Sequence, residues 1–362
     1  MSDGQPHPLN LRVGDLVEVR SEEEILSSLD EHGAVNGLPF MPEMLEYCGK
    51  HFRVGKRADK TCNTITVMES RRLHDTVHLE DVRCTGAAHG GCQAQCLIYW
   101  KEAWLKRAEP AGTNSHPSPR EPAATSAPRI DRARLTQFTL RPDPPDDSEI
   151  YYRCQATDIL KASESIPDGE FSQFVRDVSS GNVGVMALVR AFFLRLFQKT
   201  MRITGYRAHL WAYDFLHSLF GGTPYPYRRG TLDKTPKETL DLQPGELVQI
   251  KSYEEIMKTL NKANRNRGLF FDAEMVPYCG STRRVRARVE RIIDERTGKM
   301  RILPGECLIL EGAICTAKYS ERRLFCPRGI YPFWREIWLK RVAPANSTRQ
   351  KETSSEKVEV QK

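Results

Sequence analysis

From Gly14 the chain reads Asp15-Leu16-Val17-Glu18-Val19, with apolar and polar positions alternating after a glycine. A period of two behind a turn predicts a half-buried strand. Ser21 then precedes Glu23, Glu24 and Ile25, and Leu29 follows at helical spacing. A hydroxyl cap ahead of an acidic first turn predicts the start of a helix. The whole succession returns 231 residues later. Gly245 opens Leu247-Val248-Gln249-Ile250, and Ser252 precedes Glu254, Glu255, Ile256 and Leu260.

The register holds without a gap to Cys84 and Cys315, through Gly37-Leu38, Phe40, Glu43-Met44, Tyr47-Cys48-Gly49 and Arg53-Val54, which match Gly268-Leu269, Phe271, Glu274-Met275, Tyr278-Cys279-Gly280 and Arg284-Val285. Beyond it the second stretch gains three residues, so that Cys92 matches Cys326 and Trp100, Glu102 and Trp104 match Trp334, Glu336 and Trp338. An ungapped match of this length makes coincidence a poor explanation. Residues 11–108 and 242–342 are expected to be two homologous, mostly β modules. The opening Gly14-Asp15-Leu16-Val17-Glu18-Val19-Arg20 resembles the first strand of SH3-like barrels of the KOW type, which implies a small barrel for each module.

Between the modules the pattern changes. Residues 109–147 carry eight prolines among Ala, Ser and Thr. Such a composition buries too little apolar surface to offset its ordering entropy, and predicts an extended linker. Residues 148–230 are expected to be a helical middle domain. The apolar run Val183 to Phe197, with Arg190 and Arg195 inside it, reads as a helix packed against a module. A membrane-surface helix over residues 183–203 is the alternative. The two arginines oppose a spanning helix, because a mid-bilayer arginine costs on the order of 3 kcal/mol or more. Residues 346–362 are polar and expected to be a disordered tail. The fold class is therefore α+β, with two SH3-like modules flanking a helical segment.

Composition narrows the class. The net charge of +7 permits an anionic partner but is mild for a dedicated nucleic-acid binder. The N-terminus has neither the basic nor the apolar region of a signal peptide, so a cytoplasmic protein with reduced or metal-bound thiols is expected.

Nine of the ten cysteines fall inside the two modules. Cys48, Cys84 and Cys92 recur as Cys279, Cys315 and Cys326, and the first module adds Cys96. Four thiolates satisfy zinc or an iron–sulfur cluster, because sulfur is soft and both centres accept a tetrahedral set. Cys48, Cys84, Cys92 and Cys96 form the candidate first site. Cys279, Cys315 and Cys326 form the second, with Cys307, Cys154 or a group other than cysteine as its fourth ligand. Zinc is the commoner structural choice. Against this stands the plain reading of free cysteine as a small buried hydrophobe.

Other residues have a structural reading beside a chemical one. His74 and His78 have the i,i+4 spacing of helix-borne ligands, and His89 lies in the cysteine loop, yet none has a histidine counterpart in the second module. A surface or hydrogen-bonding role is the simpler reading for each. Trp100 and Trp104 could stack bases beside Lys106 and Arg107, or close the module's core. Glu102/Glu336 and Glu43/Glu274 could do acid–base chemistry, but no nucleophile pairs with them in sequence. P-loop, dinucleotide, Gly-x-Ser-x-Gly and His-Glu-x-x-His motifs do not occur. The sequence thus points to a metal-binding tandem-repeat protein acting as a binding or scaffold component. The alternatives are a redox or accessory biosynthetic enzyme built on a cysteine-ligated cluster, and nucleic-acid binding through the Trp/Lys/Arg segments. Another protein, nucleic acid and a membrane surface are the partner classes consistent with it.

Overall fold

The computed structural model describes residues 8–66, 69–108, 130–146, 148–167, 169–204, 223–303, 305–320 and 322–342, together with Trp211, Tyr213 and Phe215. Helices and strands mix in several small sheets, an α+β arrangement. The chain divides into two compact units: Met1–Tyr206 with Arg291–Ile302 and Cys315–Ile330, and Arg207–Glu290 with Leu303–Ile314 and Tyr331–Lys362. Two segments of the second module's sequence therefore belong to the first unit.

In the first unit, strand Leu16–Val19 lies between His51–Arg57 and Leu105–Arg107. Thr76–Leu79 and then Trp100–Lys101 extend the sheet beyond His51–Arg57. The alternation read from sequence is real: Val17 and Val19 are fully buried while Leu16 and Glu18 are half-buried. Ser21 caps the helix Glu22–Ser28. Its Oγ accepts from the Glu24 N–H at 3.3 Å, and the Glu24 carboxylate accepts from the Ser21 N–H at 2.8 Å. This reciprocal box fixes the helix start and turns Ile25 and Leu26 into the core.

The sheet does not close into the barrel that the opening strand implies. Its outer strands, Trp100–Lys101 and Leu105–Arg107, are unpaired with each other. The single 3-10 turn Glu102–Trp104 lies directly between them and leaves Trp100–Lys101 only two residues long. Among the described residues there is no closed barrel.

The second unit repeats the arrangement. Leu247–Ile250 lies between Thr282–Arg288 and Leu339–Arg341, with Leu308–Leu310 beyond, and Ser252 boxes with Glu255. Leu16 pairs with Arg53 as Leu247 pairs with Arg284. Each unit packs an aromatic centre edge to face: Phe40 on Trp104 with centroids 5.1 Å apart, and Phe271 on Trp338 at 5.3 Å. Trp100, Trp104, Trp334 and Trp338 are fully buried, so their rings present no face on which a base could stack.

Part of the proline-rich segment is packed. Asp131 caps the helix Arg132–Gln137, and Ile130 and Leu135 enter the first core, which an extended linker would not do. Further on, Phe174, from Ser172–Ser179, and Ala191, from Val185–Thr204, pack with Leu324 and Phe325. Among that helix's described side chains, Val185, Met186, Val189, Phe192, Phe193 and Leu196 are exposed. Among the described residues no helix is long and apolar enough to cross a membrane. Residues 346–362 lie outside the described residues.

Glu102 and Glu336 prove to be clasps. Glu102 accepts from the N–H groups of Asn10 and Leu11, both at 2.9 Å, and from Arg57 at 2.6 Å. Glu336 accepts from the N–H groups of Leu240, Asp241 and Leu242, and from Arg288 at 3.0 Å. Each carboxylate ties the chain's entry to the last strand. In Glu102→Gln the amide nitrogen cannot accept, so one of these donors loses its partner, while Arg57 keeps Asp59 at 2.6 Å. A loss of about 1.5–3 kcal/mol is expected, the usual worth of a hydrogen bond to a charged group. Urea unfolding measures it, and a loss below about 1 kcal/mol, the range of an exposed pair, would show the clasp to be dispensable.

Candidate metal centre

The loop from Cys84 to Cys96 is shaped by its glycines. Gly86 has a φ of +73°, and a Cβ there would sit 2.0 Å from the Cys92 carbonyl oxygen. Only glycine lets the loop fold back this closely. His89 and Gly91 donate their N–H groups to the Gly86 carbonyl, and the Cys84 N–H donates to the Cys96 carbonyl at 2.8 Å. The two ends of the loop are thereby held together, with His89 turned inward and 1 % exposed.

Glu43 meets the loop from the 3-10 helix Pro42–Tyr47. The Cys84 thiol lies 3.4 Å from Glu43 Oε1 and 3.4 Å from His89 Nε2. His89 Nδ1 is 3.4 Å from Glu43 Oε1 but is not aligned for a hydrogen bond. Neither His89 Nδ1 nor Glu43 Oε2 has a hydrogen-bond partner, although both are buried. Glu43, Cys84 and His89 bring three ligand atoms within 4.8 Å of one another, and among the described residues no other such group occurs.

These three side chains line a cavity of about 50 Å³ together with Cys92, Cys96 and Cys154. That is room for an ion or a water or two, since a single water needs roughly 10–15 Å³ on this measure. Gln155 fixes one wall, donating to the carbonyls of Tyr99 and Pro39 and accepting from the Tyr99 N–H. Arg328 fixes another, paired with Glu295 at 2.6 Å.

Burial dominates the electrostatics. It raises the Cys84 thiol far above its ordinary range, with Glu43 adding to the shift, and pushes Cys96 and Cys154 each up to about 12. Burial also raises Cys92, and lowers His89 against the pull of Glu43. Left to the protein alone, these thiols are protonated and the imidazole neutral. A coordinated divalent ion reverses that logic, because a ligating thiol gives up its proton outright.

The structure brings together three of the four first-site thiols expected from sequence. Cys84, Cys92 and Cys96 share the cavity, whereas Cys48 does not line it. Cys48 ends the 3-10 helix and packs against the core, in the field of Glu22 and Arg132. Its place is taken by Cys154, considered from sequence only for the second site, and by His89 and Glu43. A signal for His89 was present in the spacing Cys84-x4-His89-x2-Cys92-x3-Cys96. Glu43 offered only its register with Glu274. The second expected set is divided between units. Cys279 lies against the second core, its thiol pushed up to about 12 by burial, while Cys315 and Cys326 belong to the first unit with Cys62. Cys307 is buried in the second unit, with Arg335 Nη1 3.5 Å from its sulfur.

His74 and His78 do not form a pair. They lie on a turn and a strand, not on a helix: His74 contacts Glu164 at the surface, and His78 sits inside the sheet with Nδ1 2.9 Å from the Ile98 carbonyl. The chain matches no protein-family model, no curated protein and no solved structure. Its function is therefore read from the chemistry of the cavity.

His78 gives the first unit a pH signature. Burial lowers its pKa from the ordinary 6.5 to about 4. The unfolded chain thus binds an extra proton between those values, and stability is full above about 6.5 and falls as pH drops toward 4. The loss across this window approaches about 3 kcal/mol. Urea midpoints measured from pH 7 to 4.5 should show this decline. A His78→Leu variant should lose about one proton's worth of slope, and an unchanged slope would assign the acid sensitivity elsewhere.

Proposed function

We propose that the chain is a metal-binding protein that holds zinc at Glu43, Cys84 and His89 and acts as a binding or scaffold component. One observation carries the reading. A carboxylate and an imidazole, both with buried side chains and each with an unpartnered atom, meet a thiol at 3.4 Å in a small cavity. A buried carboxylate with an unanswered lone pair costs stability, and a divalent ion held at Glu43, Cys84 and His89 would offset that cost. The 3.4 Å separations of Cys84 Sγ from Glu43 Oε1 and from His89 Nε2 also fit zinc, whose bond lengths of about 2.0–2.3 Å at tetrahedral angles put neighbouring ligands roughly 3.3–3.7 Å apart. Cys96, Cys154 or Cys92, on the same cavity, supplies the fourth ligand.

A second reading has its own support. Four thiols, Cys84, Cys92, Cys96 and Cys154, line one cavity whose wall carries the fully buried Arg328. A thiolate-ligated iron–sulfur cluster is anionic and would be favoured by that charge. This is the reading on which a redox or accessory enzyme would rest.

The two-module reading belongs to the same proposal. It is supported by the recurrence of strand order, register, capping box and glutamate clasp. The SH3-like reading is supported by a meander whose last strand returns to pair with its first, with a 3-10 turn just before that last strand.

Elemental analysis of anaerobically purified protein tests the metal assignment. The expected result is one zinc per chain and no visible absorption, with zinc lost in Cys84→Ala and in His89→Ala. Broad sulfur-to-iron absorption would establish the cluster in its place. Metal-free protein in which Cys84→Ala unfolds like its parent would remove both readings. In Cys48→Ala metal content should be unchanged, because Cys48 lies outside the cavity.

A further inference from the structure

The first unit holds a second group of thiols, outside the cavity. Cys62 ends the strand Lys60–Cys62, and Cys326 comes from the segment Cys315–Ile330. Together with Ala317 they form a small buried cluster on which Cys315 and Ile330 pack. Cys62 is 5 % and Cys326 7 % exposed, so only a very small reagent can reach them.

Arg328 decides what this pair can do. Its guanidinium donates to the Cys62 carbonyl at 3.3 Å and to Thr64 Oγ1 at 3.0 Å, and is held by Glu295. A fixed positive charge beside the thiols opposes a second cation and stabilises a thiolate. The two sulfurs are also not equivalent. The hydrogen bond from Cys326 and the charges of Arg328 and Arg323 draw Cys62 below the ordinary thiol range despite its burial. Burial holds Cys326 above that range. Two cysteines in one buried cluster beside a fixed guanidinium are the arrangement of an attacking and a resolving cysteine.

We propose that Cys62 and Cys326 are a redox-active dithiol, oxidised to a disulfide by a small peroxide. The Cys62 sulfur attacks one peroxide oxygen and the O–O bond breaks. Cys62 becomes a sulfenic acid, and the departing hydroxide takes up the proton given by the Cys62 thiol to leave as water. Cys326 then gives up its proton, and its sulfur attacks the Cys62 sulfur. The S–O bond breaks and a second water leaves. Two thiols have lost two electrons and two protons, and hydrogen peroxide has become two waters. The new bond ties the strand Lys60–Cys62 to the segment Cys315–Ile330 within the first unit.

The test uses the full chain, reduced and then treated with one equivalent of hydrogen peroxide. Free thiols are alkylated and the protein is digested without reductant for mass mapping. A Cys62–Cys326 linked peptide, two hydrogens lighter than its separate halves, should be the first cross-link to appear. In Cys326→Ser, Cys62 should accumulate as a sulfenic acid, trapped by dimedone added together with denaturant after the peroxide has reacted. Recovery of Cys62 and Cys326 as alkylated free thiols while the cavity cysteines oxidise would overturn the proposal. So would zinc bound to the pair and lost in Cys62→Ala. The readout is assigned residue by residue, so its outcome is separate from that of the metal site.

Discussion

A carboxylate withdrawn from water must have its lone pairs answered, and this requirement organises the protein. Glu102 and Glu336 are answered from within the chain, by two or three backbone N–H groups and an arginine each. Those donors fix where the chain enters each unit and hold the 3-10 turn under the tryptophans. Glu43 is the contrasting case. It is as deeply placed, with its side chain 5 % exposed, yet its neighbours are a thiol and an imidazole that offer it little. One residue type under one physical demand thus separates a structural clasp from the candidate metal centre.

The thiols divide in the same way by the charge beside them. Around the cavity, burial holds Cys84, Cys92, Cys96 and Cys154 protonated, and only an added cation would convert them to ligands. At Cys62 a cation is already built in as Arg328, and the Cys326 contact together with that charge draws the thiol below its ordinary range. Arg328 also lines the cavity wall. A single buried guanidinium therefore borders both groups of cysteines, and a change there would be felt by each.

Local pattern sufficed for features that depend on residues close in sequence. Ser21 with Glu24 and Ser252 with Glu255 specify helix starts, since a capping box closes within four residues. The alternation at Leu16–Val19 specifies a strand because side chains project with a period of two. The recurrence of these signals at a fixed spacing gave the element order of both modules. Trp100 and Trp104 were legible as core residues because large apolar rings near a strand end are more cheaply buried than exposed.

The composition of the site was decided by approaches between distant segments. Cys48 has its counterpart in Cys279, and both end a 3-10 helix, but that position faces the core and not the cavity. Cys154 reaches the cavity because the chain after the proline-rich segment folds back on the first module, and nothing in its local sequence announces this. Cys62 and Cys326 meet because Cys315–Ile330 packs in the first unit despite its place in the second module's sequence. By itself the sequence determined the opening strands and capped helices, their recurrence, and the cysteine and histidine residues from which a site could be drawn. Only the tertiary structure decided which thiols stand together and which stand beside an arginine, because ligation and thiol ionisation depend on separations of a few ångströms that contacts far along the chain set.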